Sequence, residues 1–451
     1  MKILHYSLGF PPYRTGGLTK FCIDLMEIQA KQGHEVALLW PGRMEFSRKN
    51  KIKFCDSIYK IGNTKISSYE IINPLPVPLD EGIIDVKEYT KSGDLSAYSH
   101  LLKQINPDII HIHTLMGIHK EFIEVAENLK IRTVFTTHDY FGLCPKVTFF
   151  YDGKVCDDLE CRRCSKCNQT ALSIKKIKLV QSGIYKKLKD TKLLKIIRKK
   201  HRNQFFEKNK SIKQNQDTHA IKEDSMKYQQ LRAYYISMLE RIDMIHFNST
   251  IAEMVYKRYL IPKDSCIISI SHKGICDYRK IKEFSEESLR LTYLAPAKQF
   301  KGFDILIQAL DVLHQNGNDN FKLYNYSLSG KSKPYLYEKD GFAQNELSEI
   351  FDNTDVLIAP SIWYETFGFT VLEALSFGVP VIISANMGVK DILPQDCGIV
   401  IDNIDEIKLA EVINNLNAEE MRKMNENILT NMHIVTVADM WRMIEQKCYQ
   451  L

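Results

Sequence analysis

The chain has 451 residues, of which 44% are apolar and 26% are charged, with a net charge of +6. This length exceeds what one hydrophobic core usually supports, so two domains of ordinary globular composition are predicted. No run of about 18 apolar residues occurs, which argues against a membrane-spanning helix. Because Met1–Phe10 lacks the long apolar core and cleavage site of a signal peptide, we interpret it as a first strand and expect a cytoplasmic protein.

The first half of the chain has the pattern of a doubly wound parallel sheet. Short apolar runs predict strands, and a loop with Gly16 and Gly17 precedes a helix predicted from about Thr19 to Gly33. These glycines do not form G-x-G-x-x-G, so a dinucleotide fingerprint is absent and a tight turn is the simplest interpretation. The predicted strands are Lys2–Ser7, Glu35–Trp40, Asp108–His113, Arg132–Thr137, Arg241–Ser249 and Ser265–Ser271.

His138 and Asp139 follow the predicted strand Arg132–Thr137 directly. Parallel sheets place ligand-binding residues at the carboxyl ends of their strands, so this position favours a role in binding. A single histidine at a strand end is nevertheless most often a hydrogen-bonded core residue. His111 and His113 alternate along their strand, and we interpret both as structural.

Five of the eleven cysteines fall within 24 residues and end in C-x2-C-x2-C. Four thiolates at such spacing suit a tetrahedral structural zinc ion. A redox-labile knot and a set of unliganded buried thiols are the alternatives, and an iron–sulfur cluster is less favoured. The other cysteines are scattered, as expected for reduced thiols. The candidate zinc ligands are Cys144, Cys156, Cys161, Cys164 and Cys167.

The positive charge is concentrated in residues 175–213, which carry 15 Lys and Arg against two acids, a net +13 that leaves −7 for the rest. The interspersed apolar residues predict a basic amphipathic helix, which favours contact with an anionic membrane surface. A solvated charged face is an equal alternative. Aromatic side chains that could stack on bases are sparse, so no nucleic acid partner is expected.

The second half repeats the strand-loop-helix plan after a polar boundary at Lys273–Glu287. We therefore predict a first domain over residues 1–272, with the Cys-rich and basic helical insertion at 144–239, and a second domain over 273–431. Residues from Ala418 to Leu451 have a helical pattern, and the part over 432–451 is expected to pack back on the first domain. Strands are predicted at Leu291–Ala295, Leu323–Gly330, Asp355–Pro360 and Val381–Ser384.

Two carboxylates, Glu365 and Glu373, stand eight residues apart in the stretch Pro360–Val381. A buried strand precedes them, a turn at Phe367–Phe369 lies between them, and an apolar helix follows. Free amide groups at such a helix start suit a diphosphate, and a glutamate one turn later can reach a neighbouring sugar hydroxyl. The alternative is an ordinary strand-loop-helix unit with two surface acids.

The same stretch resembles the signature of the retaining, nucleotide-sugar-dependent glycosyltransferases of family 4. The resemblance covers most of the chain outside residues 144 to about 239 and implies two Rossmann-like domains facing a cleft, the GT-B fold. It also implies metal-independent transfer, because no convincing D-x-D is present, to a glycan or lipid-linked acceptor in bacterial surface polysaccharide synthesis. The residues that match are Pro360, Ser361, Glu365, Phe367, Gly368, Glu373, Ala374, Gly378, Pro380 and Val381.

The resemblance assigns roles to individual residues. His138 and Glu365 would lie at the transferred sugar as catalytic residues, and Glu373 would hold the ribose hydroxyls. The phosphates would meet Lys301, which lies in a stretch similar to the family's K-G-x-x-x-L-I-x-A, and the Phe367–Phe369 amides. The implied donor-binding residues are Gly16, Gly17, Lys298, Lys301, Phe367, Gly368, Phe369 and Glu373.

The chain departs from the family at Pro296, which stands where an arginine is usual. Either Lys298 replaces that charge or the phosphate site is weaker. This departure favours a non-catalytic nucleotide-sugar-binding scaffold as one alternative. A sugar-nucleotide epimerase, which shares the two-domain plan, is the other. The resemblance requires no cofactor, with the nucleotide-sugar as donor substrate and zinc only structural. The basic segment 175–213 would hold the protein at the inner face of the cell membrane.

Overall fold

The chain folds around two separate sheets. The structure is a computed structural model that describes residues 1–11, 13–45, 51–183, 185 and 218–450. The basic segment predicted at 175–213 therefore lies mostly outside the described residues. No helix within these ranges is long and apolar enough to cross a membrane.

Sixteen strands are found in these ranges. They are β1 Lys2–Tyr6, β2 Glu35–Pro41, β3 Lys53–Ile61, β4 Thr64–Ile72, β5 Ile109–Ile112, β6 Arg132–Thr136, β7 Phe150–Tyr151, β8 Lys154–Val155, β9 Met244–Phe247, β10 Ser265–Ile267, β11 Leu289–Tyr293, β12 Phe321–Asn325, β13 Leu336–Glu338, β14 Val356–Ala359, β15 Val381–Ser384 and β16 Gly398–Ile401.

Thirteen α-helices are described in the same ranges. They are α1 Gly17–Lys31, α2 Leu95–Ile105, α3 Lys120–Asn128, α4 Cys164–Cys167, α5 Ile174–Val180, α6 Thr218–Leu239, α7 Thr250–Lys257, α8 Phe303–Gln315, α9 Leu347–Asp352, α10 Phe369–Ser376, α11 Glu406–Asn415, α12 Ala418–Asn431 and α13 Val437–Cys448.

The first sheet has the order β10-β9-β6-β5-β1-β2-β4-β3, and the described pairs are parallel except for the hairpin β3–β4. Its central strands are buried on both faces because helices cover both sides. The order reverses direction between β1 and its neighbours β2 and β5, as in doubly wound folds. The carboxyl ends of β5, β6 and β9 therefore share one edge of the sheet.

The second sheet has the order β13-β12-β11-β14-β15-β16, and its described pairs are all parallel. An ion pair lies at its centre, since Arg290 Nε on β11 donates to Oδ1 and Oδ2 of the buried Asp355, just before β14, each at 3.1 Å. The carboxyl ends of β11 and β14 lead into the loops that hold Lys301 and Glu365. Both predicted site loops thus lie at one edge of this sheet.

The carboxyl-terminal region differs from the single helix predicted over Ala418–Leu451. The structure has two helices, α12 and α13, because Thr436 starts a new helix with a capping box to Asp439. The chain then crosses to the first domain. There Tyr449 hydrogen-bonds His111 at 2.6 Å, and the Cys448 carbonyl oxygen accepts a bond from the Arg132 side chain at 2.9 Å.

Gly302 shows how tightly the loops of the second sheet approach each other. It has φ 77°, and a Cβ on it would lie 1.8 Å from the carbonyl oxygen of Pro360. Gly317 has a similar φ of 83°, but a Cβ there would meet nothing within 4 Å. Of these two glycines, Gly302 is the one required by close backbone contact as well as by its dihedral angle.

We predict that Gly302→Ala destabilises the protein by at least about 2 kcal/mol more than Gly317→Ala. Both changes incur the left-handed backbone strain of about 1–2 kcal/mol, and only Gly302→Ala adds steric overlap. Thermal unfolding of the two variants beside the parent chain measures the difference. Equal shifts would mean that the Lys301 and Pro360 loops separate at little cost.

Candidate functional site

The loop between β14 and α10 carries the centre of the predicted motif. Gly368 ends this loop with φ 124°, and a Cβ there would lie 2.8 Å from the Met387 side chain. Phe367 is buried, and its carbonyl oxygen accepts from the Val389 amide at 3.0 Å. The first amide groups of α10 lack intrahelical acceptors and stand at the positive end of the helix. The loop therefore presents a preformed anion-binding helix start.

Lys301 and Glu365 form an ion pair beside this helix start. Lys301 Nζ lies 2.5 Å from Glu365 Oε1, and the Ser361 hydroxyl donates to Glu365 Oε2 at 2.9 Å. The two charged side chains are only 19% and 15% exposed. Lys301 Nζ also lies 5.2 Å from the centre of the Trp363 ring, a cation–π distance. The ammonium group is thus held in place next to the loop that ends at Gly368.

Glu373 lies on α10 and receives polar groups from three other segments. Its Oε1 is 3.1 Å from His272 Nε2, 3.7 Å from Lys20 Nζ and 3.3 Å from Gln344 Nε2. Its Oε2 has no protein partner in the part of the chain that the structure describes. The carboxylate is buried yet keeps one oxygen for a ligand hydroxyl.

The amino end of α1 faces the amino end of α10. A Cβ on Gly17 would lie 3.4 Å from the Phe369 ring, whereas Gly16, at φ 114°, has open space around it. Lys20, in the first turn of α1, is the residue of this helix that reaches Glu373. Two helix starts and one lysine therefore converge on the same cleft between the domains.

Thr366 ties the two domains together at the edge of the cleft. Its hydroxyl donates to the carbonyl oxygen of His138 at 3.0 Å, and its own carbonyl oxygen accepts from the Ser249 hydroxyl at 2.5 Å. Nearby, Asp391 accepts from both the amide and the hydroxyl of Thr250 at 2.6 Å. These contacts hold His138 beside the loop that precedes α10.

His138 is half-buried at the carboxyl end of β6. Its ring lies edge-on to Phe21 with 4.7 Å between centroids, and its Nε2 is 3.4 Å from His113 Nδ1. Burial lowers the pKa of His138 to about 3, so the imidazole is neutral at pH 7. A neutral ring in this position can exchange hydrogen bonds with a sugar but carries no charge towards it.

Lys298 is engaged differently from Lys301. Its ammonium group lies 2.9 Å from the Asp80 carboxylate of the first domain and 5.3 Å from the Phe300 ring centre. Pro296 contributes only its carbonyl oxygen, which accepts from the Tyr293 hydroxyl at 3.1 Å. Of the two lysines, Lys301 is the one held next to Glu365 and the α10 loop.

Two family models match the sequence. The one described as "Glycosyltransferase Family 4" matches residues 15–154, and the one described as "Glycosyl transferases group 1" matches residues 340–431, which contain the Glu365 and Glu373 motif. Together they cover about half of the chain. The chain belongs to the family 4, group 1 glycosyltransferases.

Relatives of this glycosyltransferase chain align over limited regions. An uncharacterized 41.2 kDa protein in the cps region of Klebsiella pneumoniae is 26% identical over 141 residues, which are 29% of this chain and 37% of that protein. The O-antigen biosynthesis glycosyltransferase WclY of Escherichia coli is 30% identical over 129 residues, 27% of this chain and 36% of that protein. The matches thus span less than half of the length of these two relatives.

The fold is similar over nearly the entire chain to that of WaaG, a glycosyltransferase involved in lipopolysaccharide biosynthesis, with a TM-score of 0.54 at 14% identity and 99% coverage of both chains. Anabaena Alr3699/HepE, solved in complex with UDP and glucose, superimposes with a TM-score of 0.57 at 12% identity and 100% coverage of both chains. This likeness confirms the predicted GT-B architecture of two Rossmann-like domains.

The partners of the predicted site residues were not predicted from the sequence. His272, at the end of the first domain, and Gln344, just before α9, contact Glu373. Neither lies in a recognisable motif. Lys20 had a weak signal, because a lysine three residues after Gly17 falls in the first turn of the helix, where a bound anion would be met.

The Cys-rich segment packs on α6 and borders the cleft. Arg232 of α6 donates to the carbonyl oxygens of Leu143 and Leu159 at 2.8 and 2.6 Å. Phe150, in the hairpin β7–β8, lies 6.1 Å from Phe300 in the Lys301 loop, measured between ring centres.

Within this segment, a hydrogen bond with the Cys164 thiol lowers the pKa of Cys161. No three of the five sulfur atoms in the described structure lie within 4.8 Å of one another. The zinc site therefore stays a prediction.

Three other side chains do come that close in the described residues. Ring nitrogens of His5, His111 and His113 lie within 4.8 Å of one another, and all three residues are buried. Their ring nitrogens are engaged in hydrogen bonds, such as His5 to Gln29 at 2.7 Å and His111 to Tyr449 at 2.6 Å. A metal ion would have to replace these bonds, so the cluster is a hydrogen-bonded network.

We predict that the protein loses stability as the pH falls from 6.5 towards 4. Burial lowers the pKa of His5 and His246 to about 4 and that of His138 to about 3. At pH values below the ordinary histidine pKa of about 6.5, these histidines are protonated in the unfolded chain but not in the folded chain. The unfolded state therefore binds more protons, and lowering the pH favours unfolding. Each such histidine removes up to about 2 kcal/mol between pH 7 and pH 5.

Denaturant unfolding at pH 7, 6 and 5 measures this slope. His246→Gln removes one buried group and should make the slope shallower, whereas His100→Gln, at an exposed position, should leave it unchanged. A stability that is flat over this pH range would show that the buried histidines titrate normally.

Proposed function

We propose that this chain transfers a sugar from a nucleotide-sugar donor to a glycan or lipid-linked acceptor, with retention of the anomeric configuration. The observation that carries this proposal is the cleft in which Glu373, the α10 amides and the Lys301–Glu365 pair face α1 and His138. The names of two relatives indicate the biosynthetic context, since one is named for O-antigen biosynthesis and the other lies in a cps region. A role in bacterial surface polysaccharide synthesis follows from these names.

The second domain would bind the nucleotide. Glu373 would accept hydrogen bonds from both ribose hydroxyls, with Oε2 open and Oε1 held by His272 and Lys20. The diphosphate would lie over the amides of Phe367–Phe369, where Lys301 supplies a positive charge. These groups stabilise the charge that develops on the leaving diphosphate as its bond to the sugar breaks.

The transferred sugar would lie between Glu365 and His138. Its hydroxyls would bond to the Glu365 carboxylate and to the neutral His138 imidazole. The acceptor hydroxyl would attack the anomeric carbon on the side of the departing diphosphate, which takes the acceptor's proton. The new glycosidic bond then keeps the anomeric configuration, and no nucleophilic carboxylate or catalytic metal is needed.

Three further features stay proposals. The basic residues 175–213 would hold the enzyme on an anionic membrane surface at the inner face of the cell membrane, where a lipid-linked acceptor lies. The five cysteines of the insertion would hold a structural zinc ion. The domains would divide near residue 272, with the first domain on the acceptor side.

A non-catalytic nucleotide-sugar-binding scaffold is the second candidate. Pro296 favours it, because this residue places no charge at a position where the family usually has arginine. In that case the protein would bind the donor without acceptor-dependent turnover.

We predict that one nucleoside diphosphate among UDP, GDP and ADP, or else CMP, stabilises the chain by about 2.7 kcal/mol at 100 times its dissociation constant. Glu373→Gln removes a charge-assisted bond to ribose and should weaken binding at least about tenfold, which cuts the stabilisation to about 1.4 kcal/mol. Thermal shift measures both, with the exposed Glu349→Gln as the matched control. If none of these nucleotides raises the unfolding temperature of the parent chain, the proposed donor site is wrong.

We further predict that Lys301→Gln lowers acceptor-dependent release of nucleoside diphosphate by about 10²-fold, the loss typical for removal of one group that stabilises developing charge. Lys298→Gln should cost less than about tenfold, because its ammonium group is paired with Asp80. The reverse order would show that Lys298 takes the place of the missing arginine. Donor binding without turnover in the parent chain would establish the scaffold.

A further inference from the structure

A chain of hydrogen bonds begins at Ile268, directly after β10, and runs through the interior of the first domain. The carbonyl oxygen of Ile268 is 2.7 Å from His246 Nε2, and His246 Nδ1 is 2.8 Å from the Thr136 hydroxyl. Thr136 Oγ1 is 2.6 Å from His111 Nε2. His111 Nδ1 is then 2.6 Å from the hydroxyl of Tyr449, which follows the last helix. All five residues are buried.

The same chain continues from Tyr449 to the cleft. The Tyr449 hydroxyl lies 3.3 Å from Gln29 Nε2, and Gln29 Oε1 lies 2.7 Å from His5 Nε2. His5 Nδ1 is 2.9 Å from His113 Nε2, and His113 Nδ1 is 3.4 Å from His138 Nε2. His138 is the only member of the chain that is not fully buried.

The Ile268 carbonyl fixes the direction of this chain. A carbonyl oxygen only accepts, so His246 Nε2 carries a proton. Burial keeps His246 neutral, with its pKa lowered to about 4, so His246 Nδ1 accepts and the Thr136 hydroxyl donates to it. Thr136 must then accept from His111. The opposite direction would require a doubly protonated His246 in a buried site.

Every later hydrogen bond has its direction set in the same way. Tyr449 has one hydroxyl proton, which it donates to His111, so it accepts from Gln29. Each histidine beyond Gln29 then carries its proton on Nε2 and accepts on Nδ1. The chain ends with Nε2–H on His138 and a lone pair on His138 Nδ1. This atom has no protein partner among the residues that the structure describes, so it is open to the cleft.

We propose that Tyr449 is a positioning residue that sets the tautomer of His138, so that His138 offers a hydrogen-bond acceptor to a hydroxyl of the donor sugar. This inference rests on the proposed function for its sugar. The series of hydrogen bonds is present in the protein without ligand and can be tested there.

Removal of the Tyr449 hydroxyl allows the donor-to-acceptor direction of the hydrogen bonds to reverse. While its hydroxyl is present, the amide nitrogen of Gln29 faces Tyr449 and the amide oxygen faces His5. Without the hydroxyl, the amide can turn over and donate to His5, which then carries its proton on Nδ1. The reversal passes through His113 and places the proton of His138 on Nδ1, so a donor replaces the acceptor in the cleft.

The test is the tautomer of His138 in the ligand-free full chain labelled with 15N-histidine. Ring nitrogen shifts separate the two tautomers, and His138→Asn identifies the signal among the thirteen histidines. We expect an Nε2–H ring in the parent chain and loss of that state in Tyr449→Phe. Tyr98→Phe is the matched control, because it removes a buried tyrosine hydroxyl that bonds another buried histidine, His119, at 2.8 Å.

The second readout is sugar transfer. Tyr449→Phe should lower kcat/KM for the donor about five- to tenfold, the effect of one hydrogen bond of about 1 kcal/mol, while the thermal shift by the nucleoside diphosphate alone stays unchanged. Tyr98→Phe should keep its kcat/KM. If the parent chain transfers no sugar, the proposed function fails, and the tautomer measurement still decides the hydrogen-bond chain.

If Tyr449→Phe does not fold, the series of hydrogen bonds can be interrupted at Thr136 instead. Thr136→Val removes the hydroxyl between His246 and His111, whereas Thr136→Ser keeps it and should preserve the parent tautomer. An Nδ1–H ring on His138 in the parent chain would overturn the inference. An unchanged His138 signal in both Tyr449→Phe and Thr136→Val would overturn it equally.

Discussion

The candidate site depends on one loop being held from both domains at once. Thr366 donates to the carbonyl oxygen of His138 and accepts from the Ser249 hydroxyl, so the residue before the Phe367–Phe369 turn is tied to the first sheet. Gly368 then turns the chain with φ 124° under the Met387 side chain. Because neither constraint leaves freedom for the start of α10, its amides face the cleft in a fixed direction. The carboxyl end of β6 and the amino end of α10 therefore lie next to each other at the cleft.

The sequence allowed the architecture and the centre of the site to be predicted because both follow local patterns. Buried strands are apolar runs, and the spacing of Glu365, Gly368 and Glu373 is fixed by one turn and one helix. The groups around these residues could not be predicted in the same way. His272 and Lys20 reach Glu373 only after both domains have folded, so their role depends on long-range contacts.

Several elements of the fold escaped prediction, and two of them show the physical reasons. The strand β3 is an edge strand with mostly exposed side chains, so it lacks the apolar alternation that reveals a strand. The break between α12 and α13 lies in a stretch that is otherwise helix-forming, and it depends on the capping bonds between Thr436 and Asp439. His5 and His246 were missed because each occupies one position in a short apolar strand.

The helix α13 links the arrangement of the domains to the interior of the first one. Its end brings Cys448 to 3.4 Å from Cys266, and the next residue, Tyr449, completes the hydrogen bonds of His111 and Gln29. Buried polar groups are costly unless every donor and acceptor is paired. The buried histidines are therefore stable as a set only when α13 is docked. Helix α13 follows the second domain in sequence, and the residue after it, Tyr449, supplies a hydroxyl to the interior of the first domain. This hydroxyl completes the hydrogen bonds of the buried groups next to the cleft, so that they stay neutral and ordered.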